Sequence, residues 1–458
     1  MSNVAYGGRF GTAYPAVTTA LVKTINQPLQ SSLDALPEKI DEPAAAAVPL
    51  VVDGTGVGYV LVSTVATRLF GLHVWGLELL TVSLAVVSAI VFLWRFGAPY
   101  AGTVILYFVI LAALQFSVHQ GVAVIAPGQI SLGGIRYFAL VAFIPAFHLC
   151  LEFFDAQGRG SRWNYLLLGV QAIILLIAIV VRISAGCLLG AVVLAALAFA
   201  WRYRRDPPRL RLLGRKGLAF LLGIALVLTA IIAAIPPAYL QQGRFNSVFW
   251  HRAVVSLGAN PAWPFEHLNT AIDCHRDIPD GLVRGIVDRN GHCIWVDYAI
   301  KHNLPNDVVA SQIYGGFYES VMRDTLFRIA GEYPGEVLAT FLYYKPKMLL
   351  NDLLSIGRLQ FDQQKNLSIL LFICSVGSFL LYITATPPRR SVARRMFGIA
   401  LAFSLCNLLP MMVAWPAYWT MDDFVLSLVF CAATILMLAV PAARAAWARK
   451  SAGVTLSR

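Results

Sequence analysis

Residues 72–94 read LHVWGLELLTVSLAVVSAIVFLW, twenty-three positions with one acid, Glu78, and no Lys or Arg. About 20 apolar helical residues cross the hydrocarbon core of a bilayer, so this run predicts a membrane span. Working outward, eight further stretches have the same character: 101–117, 134–154, 165–181, 186–201, 217–235, 367–385, 396–414 and 424–440. The stretches at 165–181 and 186–201 are joined only by Arg182-Ile183-Ser184-Ala185 and predict a helical hairpin. Composition agrees. Residues of the AVILMFWYC set make up 58% of the 458 and charged residues 13%, against about 25% charged in soluble domains. The mean hydropathy is +0.68. The expected fold is an all-α polytopic membrane protein of about nine transmembrane helices, with a mostly helical extracytoplasmic domain.

The net charge of +12 belongs to loops. Residues 202–216 hold seven basic residues and one acid, Asp206. Arg389, Arg390, Arg394 and Arg395 cluster before one span, and Arg444, Arg449, Lys450 and Arg458 follow the last. Excess Lys and Arg marks the cytoplasmic side. Alternation then places 236–366, with twelve basic and thirteen acidic residues, outside, together with the N-terminal region. The expected division is 1–71 extracytoplasmic, 72–235 six membrane helices, 236–366 extracytoplasmic, 367–442 three membrane helices and 443–458 cytoplasmic. The expected location is the bacterial inner membrane, with lipids as partners. No basic-aromatic module of a nucleic-acid binder is present, so nucleic acid is not expected. Nine spans that end inside start outside, yet the first 56 residues carry no signal peptide. Either this polar tail crosses unaided or an apolar helix precedes Met1; the helix is the expectation.

Five cysteines, Cys150, Cys187, Cys374, Cys406 and Cys431, fall in apolar spans, where Cys acts as a small hydrophobe. Cys274 and Cys293 fall in the external region, where an oxidising compartment favours a disulfide. The order Cys274-His275 … His292-Cys293 also offers metal ligands, but adjacent Cys-His pairs present both ligands from one turn poorly. The disulfide is the preferred reading over a metal or two free thiols, and no metal is assigned.

Asp53-Gly-Thr-Gly-Val-Gly-Tyr59 mimics a dinucleotide loop, but no βαβ unit surrounds it. Its glycines read instead as a flexible, close-packed turn. The following run, 57–70, is 14 residues long, which suits a helix in the interface or re-entrant, with Arg68 reaching the headgroups. The segment DGTGVGYVLVSTVATRLFG, residues 53–71, then Trp75 and Leu77-Glu78-Leu79, resembles the first external loop and following helix of GT-C glycosyltransferases. In many of that family an Asp precedes a Lys-Pro-Pro or His-Pro-Pro turn, an apolar helix with Tyr, Leu-Phe-Gly, Trp and a span. Here Gly-Thr-Gly-Val-Gly stands where the prolines are, and the match, covering roughly 40 residues, begins after the family's first helix.

The resemblance implies an inverting membrane enzyme that takes a sugar from a polyprenyl-phosphate carrier and passes it to a glycan or lipid acceptor. Such a site needs an ionised carboxylate as base and cations for the departing phosphate. Asp53 is the first candidate base. Asp41-Glu42 is the second, and paired acids also suit a divalent cation. Tyr59 matches the family's helix tyrosine. Candidate phosphate and sugar contacts are Arg136, Trp250, His251, Arg252 and Lys345. The last belongs to Tyr343-Tyr344-Lys345-Pro346-Lys347, where aromatic and basic residues also suit plain interfacial anchoring. The rival expectation is a non-enzymatic multi-pass protein, a transporter or an accessory subunit of envelope polysaccharide assembly. No internal repeat of the kind transporters carry is visible.

Overall fold

The computed structural model describes residues 12–13, 48–49, 56–71, 76–109, 141–154, 162–182, 185–234, 249–261, 265–268, 288–311, 316–356, 390–413 and 426–439, with a few single positions between. The described residues are mostly helical, and the strands among them are a short antiparallel pairing of Thr12–Ala13 with Val48–Pro49, in register Thr12↔Pro49 and Ala13↔Val48. The helices are α1 Gly56–Phe70, α2 Gly76–Phe96, α3 Ala98–Val109, α4 Phe143–Phe154, α5 Arg162–Val181, α6 Gly186–Arg202 and α7 Pro207–Ala234. After these come α8 Phe249–Val255, α9 Asp288–Lys301, α10 Asn306–Ser311, α11 Gly316–Glu332, α12 Pro334–Ala339, α13 Lys345–Ile356, α14 Arg390–Val413 and α15 Leu426–Ala439. The chain forms two compact units. One comprises residues 1–73, 231–360 and 408–421, the other 74–230, 361–407 and 422–458.

Among the described residues three helices, α2, α5 and α7, are long and apolar enough to cross a membrane; α3, α4, α6 and α15 are shorter apolar helices. The expected span at 367–385 lies outside the described residues. Two details differ from expectation. The helix expected from residue 217 starts ten residues earlier, so Arg209, Arg211, Arg215 and Lys216 are helical. Its sequence explains this. Pro207 and Pro208 occupy the first turn, where no N–H is required. The Asp206 carboxylate accepts the Arg209 backbone N–H at 3.2 Å, a side-chain cap. The second difference concerns α5 and α6. The turn between them is tight, closed by the Ala185 N–H to the Arg182 carbonyl at 3.0 Å. Yet both helices pack chiefly against α4 rather than along each other. The reason is that α4 is buried on every side from residue 143 to 153, the mark of a central helix.

Around α4 the second unit packs rings: Phe143 lies 4.4 Å from Phe430 and 5.1 Å from Phe403, centroid to centroid. Small residues let helices close up elsewhere. A Cβ on Gly223 of α7 would stand 3.1 Å from the Ala172 Cβ and 3.2 Å from the Gly169 carbonyl of α5. Several polar groups in this interior are paired. Ser88 Oγ donates to Gln171 Oε1 at 2.8 Å, and Gln171 Nε2 donates to the Ser88 carbonyl at 2.9 Å. His148 Nδ1 lies 3.4 Å from the same Nε2.

One helical turn beyond His148, buried Glu152 meets two cations. It bonds Arg95 Nε at the end of α2, and Lys216 Nζ of α7 lies 2.8 Å from its other oxygen. Phe92 also touches Phe147 and His148. Successive contacts therefore advance in the same direction along α2 and α4, and the two helices run parallel.

Glu152→Gln would keep the shape and leave two cations facing a neutral amide. Breaking a buried ion pair costs roughly 3–5 kcal/mol. Thermal unfolding in detergent should show a large loss of stability; an unchanged midpoint would remove the triad from the account of this fold.

Candidate functional site

The first unit builds its own apolar core from α8, α9 and α11, with Val254, Leu257, Trp295, Tyr318, Met322 and Ile329 buried together. The segment Phe249-Trp250-His251-Arg252 begins α8, and its backbone N–H groups need acceptors. Glu319 of α11 supplies them. Its Oε2 accepts the Trp250 N–H at 2.8 Å and its Oε1 the His251 N–H at 3.1 Å. Burial pushes the Glu319 carboxyl upward, opposed by the backbone N–H groups of Trp250, His251 and Phe249 and by the His251 charge.

Tyr318, next in sequence, holds the imidazole: its hydroxyl lies 2.6 Å from His251 Nδ1. The His292 ring of α9 stands 6.1 Å from the His251 ring, centroid to centroid. Such an approach is open only because residue 291 is glycine. A Cβ there would lie 2.5 Å from His251 Nδ1, 2.6 Å from Cε1 and 3.0 Å from the Tyr318 hydroxyl. His251 is accordingly buried while Arg252, its neighbour, is exposed. Trp250 is half-buried against Phe327, 5.5 Å between centroids. Among the described residues no group of three or more His, Cys, Asp or Glu is placed to hold a metal ion.

Lys345 is fully buried. Its Nζ donates to Ser256 Oγ at 2.8 Å and to the Met412 carbonyl at 2.6 Å, and sits 3.8 Å above the Phe341 ring. Met412 is in the last turn of α14, so the lysine caps that helix's free carbonyls. The backbone before it explains the inward course. Residues Thr340–Tyr344 form a π-turn in which the Lys345 N–H bonds the Thr340 carbonyl. A five-residue repeat brings Thr340 and Lys345 to one buried face; α-helical spacing would turn them apart. Pro346 is the cause in the sequence. It has no N–H for the carbonyl of Leu342, and its ring crowds that carbonyl, which the wider turn relieves. Burial pushes the Lys345 ammonium down to about 7.

The structure thus brings Trp250, His251 and Arg252 together with three residues that sequence reasoning did not single out, Gly291, Tyr318 and Glu319. No local spacing marks those three, which lie about 40 to 70 positions downstream. Lys345, read from sequence as an outward cation, is turned into the interior. Tyr59 lies on α1, and its side chain is outside the described residues. Asp41, Glu42, Asp53, Arg136 and Cys274 also lie outside them. Cys293 is disulfide-bonded. Cys150, Cys187, Cys406 and Cys431 are free thiols. Gly56 and Gly58, expected in a turn, are both within α1. No protein-family model, curated protein or solved structure matches the chain.

Gly291→Ala should destabilise the first unit by about 1–3 kcal/mol through overpacking. Gly331→Ala, whose Cβ meets open space, should not. Equal unfolding midpoints for the two variants would show that the His251 contact is loose.

Lys345 generates a pH dependence. Its unfolded value is 10.5 and its folded value about 7. Between these the unfolded chain holds a proton that the folded chain has released, so stability rises with pH across this window. The slope is at most about 1.4 kcal/mol per pH unit. Lys345→Met should flatten it. Parallel pH profiles for the two proteins would show that the ammonium keeps its ordinary affinity for protons.

Proposed function

We propose that the chain is an integral, multi-pass membrane glycosyltransferase of GT-C type that transfers a sugar from a polyprenyl-phosphate carrier on the extracytoplasmic face. The observation that supports this best is the order of elements after Asp53. Helix α1 begins three residues later and ends at Phe70; Gly71 breaks it at φ 78°, and the membrane-length α2 follows from Gly76. Helix, glycine break and span in this order match the layout that carried the resemblance. Residues 1–73 also belong to the same compact unit as 231–360, which fits a first loop and a large loop working on one side of a bilayer.

In this reading Asp53 is the base. It takes the proton of an acceptor hydroxyl, whose oxygen attacks the anomeric carbon. The bond from that carbon to the carrier phosphate breaks, and the phosphate leaves with the electron pair. Arg252, exposed at the start of α8, is suited to the phosphate through its planar fork. His251 is buried and tied to Tyr318, so its part is to hold α8 in place.

Asp53→Asn keeps shape and removes the charge. Transfer from polyprenyl-phosphate sugars in membranes should fall by roughly 10²-fold or more, the range of general-base catalysis. Arg252→Lys should chiefly weaken donor binding. Expression and folding are checked for each variant. Full activity in Asp53→Asn would transfer the base role to Asp41-Glu42 or elsewhere. No transfer by the folded wild type across a donor panel would favour the non-enzymatic reading.

A further inference from the structure

Residues 334–356 run as one continuous helix, α12, the π-turn and α13. One side buries Thr340, Lys345 and Leu349. The same helix leaves Leu338, Leu342, Tyr343 and Leu350 exposed, at 57% or more each. The polar groups among these are those of an interfacial helix: Lys347 Nζ lies 5.6 Å over the Tyr343 ring, and the neighbouring ring of Tyr344 is 5.0 Å from it. Three large leucines on one helix of a water-facing domain would expose a contiguous apolar patch, which soluble surfaces rarely tolerate.

We infer that this helix lies flat on the lipid bilayer, with Leu338, Leu342 and Leu350 at the acyl boundary and Tyr343 and Lys347 among the headgroups. Three observations favour lipid over a protein partner. First, the exposure is comparable to that of Leu218, Leu221, Leu222 and Leu226, which are 59–63% exposed on the membrane-length helix α7. Second, Lys and Tyr at the edge of an apolar stripe can bury their stems while their polar ends stay at headgroup level. Third, the helix ends at Ile356, five residues before the chain enters the second unit at Phe361. That unit holds α2, α5 and all but the last turn of α7, the membrane-length helices among the described residues. The segment cannot itself span, because Glu336, Lys345, Lys347 and Asp352 interrupt it. A helix too polar to cross yet apolar on one face belongs in the interface. The π-turn serves this placement, since by carrying Lys345 inward it keeps that amine off the exposed face.

The proposal rests on the membrane reading of the chain and not on the glycosyltransferase one. The test is a photo-crosslinking residue, p-benzoylphenylalanine, placed singly at Leu342, Leu222 or Arg323 of the full chain. Each protein is reconstituted in vesicles of phosphatidylethanolamine and phosphatidylglycerol, and the adducts are identified by mass spectrometry. Lipid adducts are expected at 342 and 222, and none at 323, which is an exposed polar site of α11. Lipid at 222 with none at 342 overturns the interfacial helix and leaves the membrane reading intact. A covalent dimer from 342 assigns the face to a second copy instead. Equal lipid labelling at 323 and 342 overturns the proposal as well, by removing its specificity. Absence of lipid at both 222 and 342 overturns the membrane reading from which it starts.

Discussion

A hydrogen-bonding group removed from water must find a partner inside the protein, and that requirement governs both units of this chain. In hydrocarbon it selects helices, because a helix satisfies its own backbone. It then decides where charge can stand. Glu152 is tolerated on the central helix α4 because Arg95 and Lys216 reach it from two other helices. Lys345 is tolerated in the first unit because Ser256 and a helix-terminal carbonyl receive it. Glu319 is tolerated because it accepts N–H groups that the start of α8 would otherwise leave bare. In each case a single ionisable side chain joins separate elements, and its buried polar contacts fix their register.

Much of the helical layout could be read in advance, for a physical reason. Apolar runs such as 72–94 and 165–181 are long compared with any soluble helix face, and their ends are set by Gly, Pro and charge. Helix α1 was legible too, as an apolar run too short to span. What escaped was anything that depends on which helices touch. Glu152 sits at the end of an apolar run and reads as a boundary residue. Its partners lie 57 and 64 positions away, and no local pattern names them. The hairpin of α5 and α6 was inferred from a short turn. A tight connection sets adjacency in sequence, but α4, largely apolar and buried along its length, draws both helices to itself.

Lys345 is the instructive error. Tyr-Tyr-Lys-Pro-Lys looks like a basic, aromatic interface patch, and for Tyr343 and Lys347 the exposure fits that look. Pro346 carried a warning. A proline inside a helix leaves the carbonyl four residues back without its donor, and the backbone answered with a π-turn. The turn sets which way Lys345 faces, and α-helical spacing then puts Lys347, two residues on, nearly on the opposite side, so one lysine stands against Phe341 and the other over Tyr343.

The same kind of separation bears on how the candidate site would handle phosphate. His251 and Arg252 are adjacent in sequence and look like a paired cationic motif. The fold divides them. A side chain at residue 291 would occupy the volume of the His251 ring, and Tyr318 fixes the ring nitrogen facing it. An imidazole so enclosed cannot swing out to a lipid headgroup without opening α8 from α9 and α11. Arg252 needs no such opening, and its guanidinium carries charge at any pH the protein meets. The buried histidine then contributes through position. Held by Tyr318, with Glu319 on its backbone, it keeps the first turn of α8 rigid, and a rigid turn is what sets the direction in which the arginine points.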